Sequence, residues 1–283
     1  MKTCTQIYEM KDIVKNLKRQ GMRIGLVPTM GYFHEGHLSL VRECIEMADR
    51  TVVSVFVNPA QFGPNEDFKQ YPRDLERDSE ILEKKGVDYL FVPDAEQIYP
   101  QGFKTYVEVK GLQDKLCGRS RIGHFRGVCT VVLKLFNILN PDLAFFGQKD
   151  QQQAIILKKM AQDLDLDVKI EVLPIVREED GLALSSRNVY LSTEQRKAAL
   201  SLSRSLREVQ QMVDKGERDT ILLKKKIQDI INSESLVRID YIQIVDMENL
   251  DPLPRIEKRA LIAIAVYFGK VRLIDNVIVY VKE

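Results

Sequence analysis

Short apolar runs, each bounded by polar or turn-forming positions, recur along the first two thirds of the chain. Residues 23–28 (RIGLVP), 51–57 (TVVSVFV), 88–92 (DYLFV), 105–109 (TYVEV), 143–146 (LAFF) and 168–173 (VKIEVL) have the length and apolar content of buried strands. Helical spacing lies between several of them. Leu38, Val41, Ile45 and Ala48 recur every three or four positions, as do Val128, Val131, Leu135 and Leu139. The segment 73–85 is charged and helix-forming, and Gly86 follows it where a helix-ending glycine belongs. Strands apolar on both faces and alternating with helices predict an α/β fold, a parallel sheet with helices on both sides.

The last third is patterned differently. Ser192 and Gln195 have capping-box spacing, and the helix they open carries Ala199, Leu202, Leu206, Val209 and Val213 before Gly216. A second helix is predicted at 219–231 and strands near 238–245, 260–267 and 271–281. Helices followed by strands predict a smaller α+β domain. The polar stretch 187–192 divides the chain into residues 1–187 and 188–283.

Composition narrows the function. Lysine plus arginine (42) nearly balances aspartate plus glutamate (41), and a net charge of +1 gives no global attraction to nucleic acid or anionic membrane. An anionic ligand therefore needs a local site. Cys4, Cys44, Cys117 and Cys129 are scattered without CxxC spacing, which suits free thiols in the cytoplasm better than a disulfide frame. The first twenty residues have charges at Glu9, Lys11, Asp12 and Lys15, unlike a signal peptide, and the longest apolar run, 260–268, is too short to span a bilayer.

Five segments carry candidate chemistry. Pro28-Thr29-Met30-Gly31-Tyr32-Phe33-His34-Glu35-Gly36-His37 follows a predicted strand and opens a predicted helix. A helix N-terminus offers free N–H groups and partial positive charge to phosphate, and His34 and His37 can add ring N–H donors. The same pair with Glu35 and a distant His124 also matches a zinc set, although HxxH is not the HExxH spacing. Gln61, in FVNPAQF, offers an amide donor and acceptor for a substrate bearing hydroxyl and carboxylate groups. Arg121, His124 and Arg126 precede the helix at 128–139 as an anion site or a basic solvated loop. In Phe146-Gly147-Gln148-Lys149-Asp150-Gln151-Gln152-Gln153, Lys149 suits phosphate, Asp150 ribose hydroxyls and Gln153 a position one turn later; a surface turn is the alternative for the first two. Leu184-Ser185-Ser186-Arg187 has the composition of a mobile phosphate clamp or of an ordinary serine-rich loop. Four of the five segments fall at or just past the carboxyl end of a predicted strand, where α/β sheets bind nucleotides.

PTMGYFHEGH resembles the PTMGxLHxGH signature of pantothenate synthetases, a branch of the HxGH nucleotidylyltransferase superfamily. The resemblance continues in order through FVNPAQF, YPR (71–73), GHFRGV, FGQKDQQQ and DGLALSSRN, nearly the whole chain. It departs mildly at Tyr32-Phe33 and at Leu184, where some members have Met. The resemblance implies a Rossmann-like N-terminal domain, a smaller C-terminal domain and a cytoplasmic homodimer. It implies pantoate, β-alanine and ATP as substrates, Mg²⁺ with the ATP, and a pantoyl-adenylate intermediate. Met30 to His37, Gly147 to Asp150, Val176 and Leu184 to Arg187 would then line the ATP site, with His34, His37, Lys149, Ser185, Ser186 and Arg187 in catalysis. Gln61 and Gln153 would hold pantoate, with Gln61 also near β-alanine, and His124 and Arg126 would lie on the substrate side.

Overall fold

A computed structural model describes residues 1–64 and 66–281. The helices are α1 (Ile7–Arg19), α2 (Glu35–Met47), α3 (Leu75–Lys84), the single turns α4 (Ala95–Ile98) and α5 (Cys117–Ser120), α6 (His124–Leu139), α7 (Gln151–Asp163), α8 (Thr193–Asp214) and α9 (Thr220–Asn232). The strands are β1 (Lys2–Cys4), β2 (Ile24–Thr29), β3 (Arg50–Val55), β4 (Tyr89–Phe91), β5 (Leu143–Gly147), β6 (Lys169–Leu173), β7 (Val237–Val245), β8 (Arg259–Phe268) and β9 (Val271–Tyr280). The chain separates into two compact units. The first comprises residues 1–114, 118–148 and 152–174, and the second 115–117, 149–151 and 175–283. Segment 175–187 thus packs with the C-terminal residues.

In the first unit, six strands form a parallel sheet in the order β1-β4-β3-β2-β5-β6. After β2 the chain steps outward through β3 to β4, then returns to the other side of β2 for β5 and β6. The order therefore reverses between β2 and β5, and such a switch point opens a crevice at the carboxyl edge of an α/β sheet. Val27, Val53, Leu90, Leu143 and Phe145 of the sheet and Leu38, Val41 and Cys44 of α2 share one buried cluster. Asp74 caps α3 by accepting from the Arg77 amide, and Gly86 follows α3 with φ +84°, as the sequence predicts.

Four elements differ from the sequence reading or extend it. Residues 105–109 are not a strand: Thr105, Tyr106 and Glu108 are exposed, and the Val107 amide donates to Thr130 Oγ1 at 3.0 Å instead of to a ladder partner. The alternation in TYVEV lays an extended segment on α6 without pairing it. Helix α6 begins at His124 rather than 128, because Gly123, at φ +81°, turns the chain into the helix earlier. The edge strand β1 and the amphipathic α1, which buries Met10, Val14 and Leu17, complete the unit.

The second unit is a three-stranded antiparallel sheet, β7-β8-β9, packed with α8 and α9. The Ser192/Gln195 capping box forms in full. Leu202, Leu206 and Val209 of α8 and Leu223, Ile227 and Ile231 of α9 share a core with Ile262, Ile264 and Val266 of β8. No helix among the described residues is long and apolar enough to cross a membrane.

Candidate active site

In the first unit, three candidate segments follow β2, β3 and β5, neighbours about the switch point. Beyond β2 the chain makes a turn with two consecutive left-handed residues, Gly31 (φ +80°) and Tyr32 (φ +56°). A side chain at position 31 would meet Asp78 Oδ2 at 2.9 Å, so glycine answers both the dihedral and the space. Phe33 is fully buried and anchors the turn, a burial worth about 1.5–3 kcal/mol.

The amides of this turn do not lie open to a ligand as the sequence reading expects of a helix N-terminus. Gly31 N–H donates to Thr29 Oγ1 at 3.1 Å, while Tyr32 and Phe33 N–H donate to the carboxylate of Asp78 at 2.6 and 2.9 Å. Gly36 N–H donates to His34 Nδ1 at 3.1 Å, and the amides of His37 and Leu38 donate to His34 O. His34 is thus the N-cap of α2. Because an amide can only donate, His34 Nδ1 accepts, which leaves Nε2 as the donor of the neutral ring. The His34 and His37 rings stack with centroids 4.0 Å apart, and Phe33 meets His37 edge-on at 5.6 Å. Donors for an anion here come from the imidazoles more than from the main chain.

Asp78, on α3, is buried. Burial pushes its carboxyl above the usual range, while the two amides and Arg77 pull the other way. Arg77 lies 3.7 Å from it, donates to Phe33 O at 3.1 Å and sits over the Tyr32 ring at 5.3 Å.

Beyond β3, Pro59–Gln61 form one 3-10 turn capped by Asn58. Asn58 is fully buried, and its orientation is set by two main-chain groups: its Oδ1 accepts from Ala60 N–H at 3.2 Å and its Nδ2 donates to Gly127 O at 3.1 Å. Tyr99 Oη also donates to Oδ1, at 2.8 Å. The Gln61 atom 3.1 Å from Asn58 Nδ2 must then be the carbonyl Oε1, so Gln61 turns its NH₂ outward, where Met30 Sδ lies at 3.2 Å. Helix α6 presses on this turn at Gly127, where a Cβ would fall 2.2 Å from Ala60 O.

His124 supports the same turn. Its Nδ1 is 2.8 Å from Gln61 O and its Nε2 is 3.0 Å from Arg121 Nη1. A carbonyl only accepts and a guanidinium only donates, which puts the ring proton on Nδ1. Arg121 is also bidentate on Glu66, at 2.8 and 2.5 Å; burial raises the Glu66 carboxyl, but Arg121 outweighs it and holds it below the usual range. Arg126 lies 3.8 Å from Glu108 and over the Tyr106 ring at 5.0 Å. Of the GHFR segment, His124 meets Gln61 and Arg126 turns to Tyr106. Gly147 ends β5, and Gln153 lies half-buried on α7.

The second unit contains the remaining candidates. Lys149 O accepts from Asn276 Nδ2 at 3.0 Å, which ties the 149–151 segment to β9. Residues 176–184 form a hairpin: Leu184 N–H donates to Val176 O at 3.0 Å, and Arg177 bridges to Ala183. Arg177 is bidentate on the buried Asp275 at 2.7 and 3.0 Å. Ser185 caps the 3-10 turn Ser186–Tyr190, Ser186 is buried, and Asn188 donates to Ala183 O and Glu178 Oε1. The clamp residues 184–187 thus sit on a braced loop. Among the described residues no group of three or more His, Cys, Asp or Glu side chains is arranged to hold a metal ion.

Sequence reading missed Asn58 and Asp78. Asn58 precedes a proline at a helical start, a capping signal. Asp78 stands between Leu75 and Leu82 at helical spacing, an acid on an otherwise apolar face.

The family model for pantoate-beta-alanine ligase matches residues 2–278. A relative named pantothenate synthetase from Caldicellulosiruptor saccharolyticus is 56% identical over 276 residues, covering 98% of each chain. The crystal structure of pantothenate synthetase from Thermus thermophilus superposes with a TM-score of 0.94 at 43% identity, covering 99% of this chain and 100% of that one. The pantoate-beta-alanine ligase from Francisella tularensis, solved complexed with beta-gamma ATP and beta-alanine, superposes with a TM-score of 0.80 at 37% identity over 98% and 97% of the two chains.

Proposed function

Because this chain belongs to the pantoate-beta-alanine ligase family, we propose that it condenses pantoate with β-alanine at the expense of ATP, through a pantoyl-adenylate, releasing pyrophosphate and AMP. What carries the reading is the family match over residues 2–278, with family motifs following β2, β3 and β5 around the sheet's switch point.

In the first step a pantoate carboxylate oxygen attacks the α-phosphorus of ATP, and the bond to the pyrophosphate oxygen breaks. The transition state is crowded and negatively charged, so the protein has to position reactants and neutralise charge. The Nε2–H of His34 and the His37 ring suit phosphate oxygens. Met30 to His37, Gly147 to Asp150, Val176 and Leu184 to Arg187 are assigned to nucleotide and phosphates through the resemblance. Gln61, presenting an NH₂, suits an acceptor oxygen of pantoate, with Gln153 as its partner and His124 holding the Gln61 main chain. Arg126 is assigned to the substrate side through the resemblance alone.

In the second step the amine of β-alanine attacks the acyl carbon, AMP leaves and a proton is lost from nitrogen. No side-chain nucleophile is needed. Mg²⁺ bound with the ATP would neutralise developing phosphate charge. The proposal includes a cytoplasmic homodimer.

The test is mass-spectrometric detection of pantothenate and AMP from pantoate, ATP, Mg²⁺ and β-alanine. Labelled pyrophosphate should also enter ATP when β-alanine is omitted. Strict dependence of that exchange on β-alanine would favour a concerted route, and formation of ADP instead of AMP would refute the adenylate.

A further inference from the structure

We propose that Asp78 is a positioning residue for the histidine pair, holding the turn that delivers His34 and His37 to the phosphates; the inference rests on the function proposed above. Tyr32 carries a Cβ and still adopts a left-handed φ of +56°, directly after Gly31 at +80°. Residues with side chains avoid that region because Cβ crowds the following carbonyl. Something must hold the turn there, and the group aimed at it is the Asp78 carboxylate.

The contact is specific. Both carboxylate oxygens are engaged, Oδ2 by Tyr32 N–H at 2.6 Å and Oδ1 by Phe33 N–H at 2.9 Å. Consecutive amides converging in a turn make a concavity suited to an anion. Here the anion is the protein's own, delivered from a helix 45 residues further along the chain. Asp78 is 1% exposed, so this pairing is shielded from water. Arg77 adds a donor to Phe33 O at 3.1 Å, so one turn of α3 grips both polar edges of the 32–33 segment. His34 follows immediately as the N-cap of α2, and His37 stacks on it. The carboxylate therefore sets the position of both rings without touching a substrate.

An acid this close to a phosphate site would ordinarily oppose binding. Its charge is instead engaged by two amides and by Arg77 at 3.7 Å, and the amides it occupies are withdrawn from the ligand. Phosphate is left to the imidazoles, so the turn's geometry governs how well they aim.

Asp78→Asn keeps the size of the side chain but turns an NH₂ toward one of the two amides. It should lower kcat/KM for pantoyl-adenylate formation about ten- to a hundredfold, as a displacement of preorganised donors does. The β-alanine step, started from supplied pantoyl-adenylate, should stay within a few-fold, because the pyrophosphate has gone. Equal slowing of both steps would reduce Asp78 to a general stability role. If Asp78→Asn does not fold, hydrogen exchange on the wild-type protein decides: the Tyr32 and Phe33 amides should be strongly protected, and rapid exchange at both overturns the proposal. A wild-type enzyme that makes no pantothenate would instead sink the function itself, whereas an active wild type with an unimpaired Asp78→Asn sinks only this inference.

Discussion

Gly127→Ala sets two effects of similar size against each other. The residue lies inside α6, where replacing glycine by alanine ordinarily stabilises by about 1 kcal/mol. Against this, the new Cβ would lie 2.2 Å from Ala60 O, 2.4 Å from Ala60 C and 2.6 Å from Gln61 N, where ordinary contact begins near 3.4 Å. The neighbours are main-chain atoms, so no side chain can rotate away, and helix and turn must part by about 1 Å. Overpacking of this kind costs about 1–3 kcal/mol. The same movement stretches the bonds from Asn58 Nδ2 to Gly127 O and Gln61 Oε1, and leaving a buried amide partner unmet costs about another 1–3 kcal/mol. The clash wins, and the variant should lose about 1–5 kcal/mol by urea unfolding. Function should suffer more selectively. Gln61 moves with its turn, and a misplacement of about 1 Å can cost about 10²-fold, so kcat/KM for pantoate should fall by up to that factor while ATP binding by calorimetry stays within a few-fold. A variant more stable than wild type with unchanged pantoate kinetics would show that the turn yields freely and that Asn58 does not fix Gln61.

Three other expectations are independent of that one. His37→Ala should slow adenylate formation about 10²–10³-fold, the usual loss for one preorganised donor, and spare the β-alanine half-reaction; rapid-quench measurement of each step checks it. Tyr99→Phe removes only the hydroxyl that donates to Asn58 Oδ1, so it should raise KM for pantoate severalfold with little change in melting temperature or in KM for ATP. Burial pushes the Cys44 and Cys129 thiols up to about 12, so at pH 8 their thiolate fraction is about one in ten thousand. Both should resist iodoacetamide in the native protein and react fully in denaturant, and rapid native labelling at either would contradict their packing.

How much of this was legible in the sequence depends on the distance over which each feature is decided. Strands such as β2, β3 and β5 declare themselves because a strand buried on both faces needs a continuous apolar run. The Ser192 capping box declares itself because a few adjacent positions contain it entirely. Segment 105–109 misleads for the converse reason: alternation in TYVEV records which side chains meet the protein, not where the amides bond, and Thr130 answers Val107 from α6. The turn after β2 is the sharpest case. Local reasoning assigns its N–H groups to a ligand, since a helix start leaves donors unmet. The structure assigns two of them to Asp78, a residue with no local relation to the motif. The histidines and Gln61 are visible as chemistry, because imidazole and amide groups advertise what they can bond. The residues that aim them, Asp78, Asn58, Tyr99 and Gly127, become visible only when the chain is folded, since each acts on a partner supplied by another segment. A variant that retains every motif residue can therefore still be poorly active, and the place to seek the cause is the shell of buried groups behind the motif.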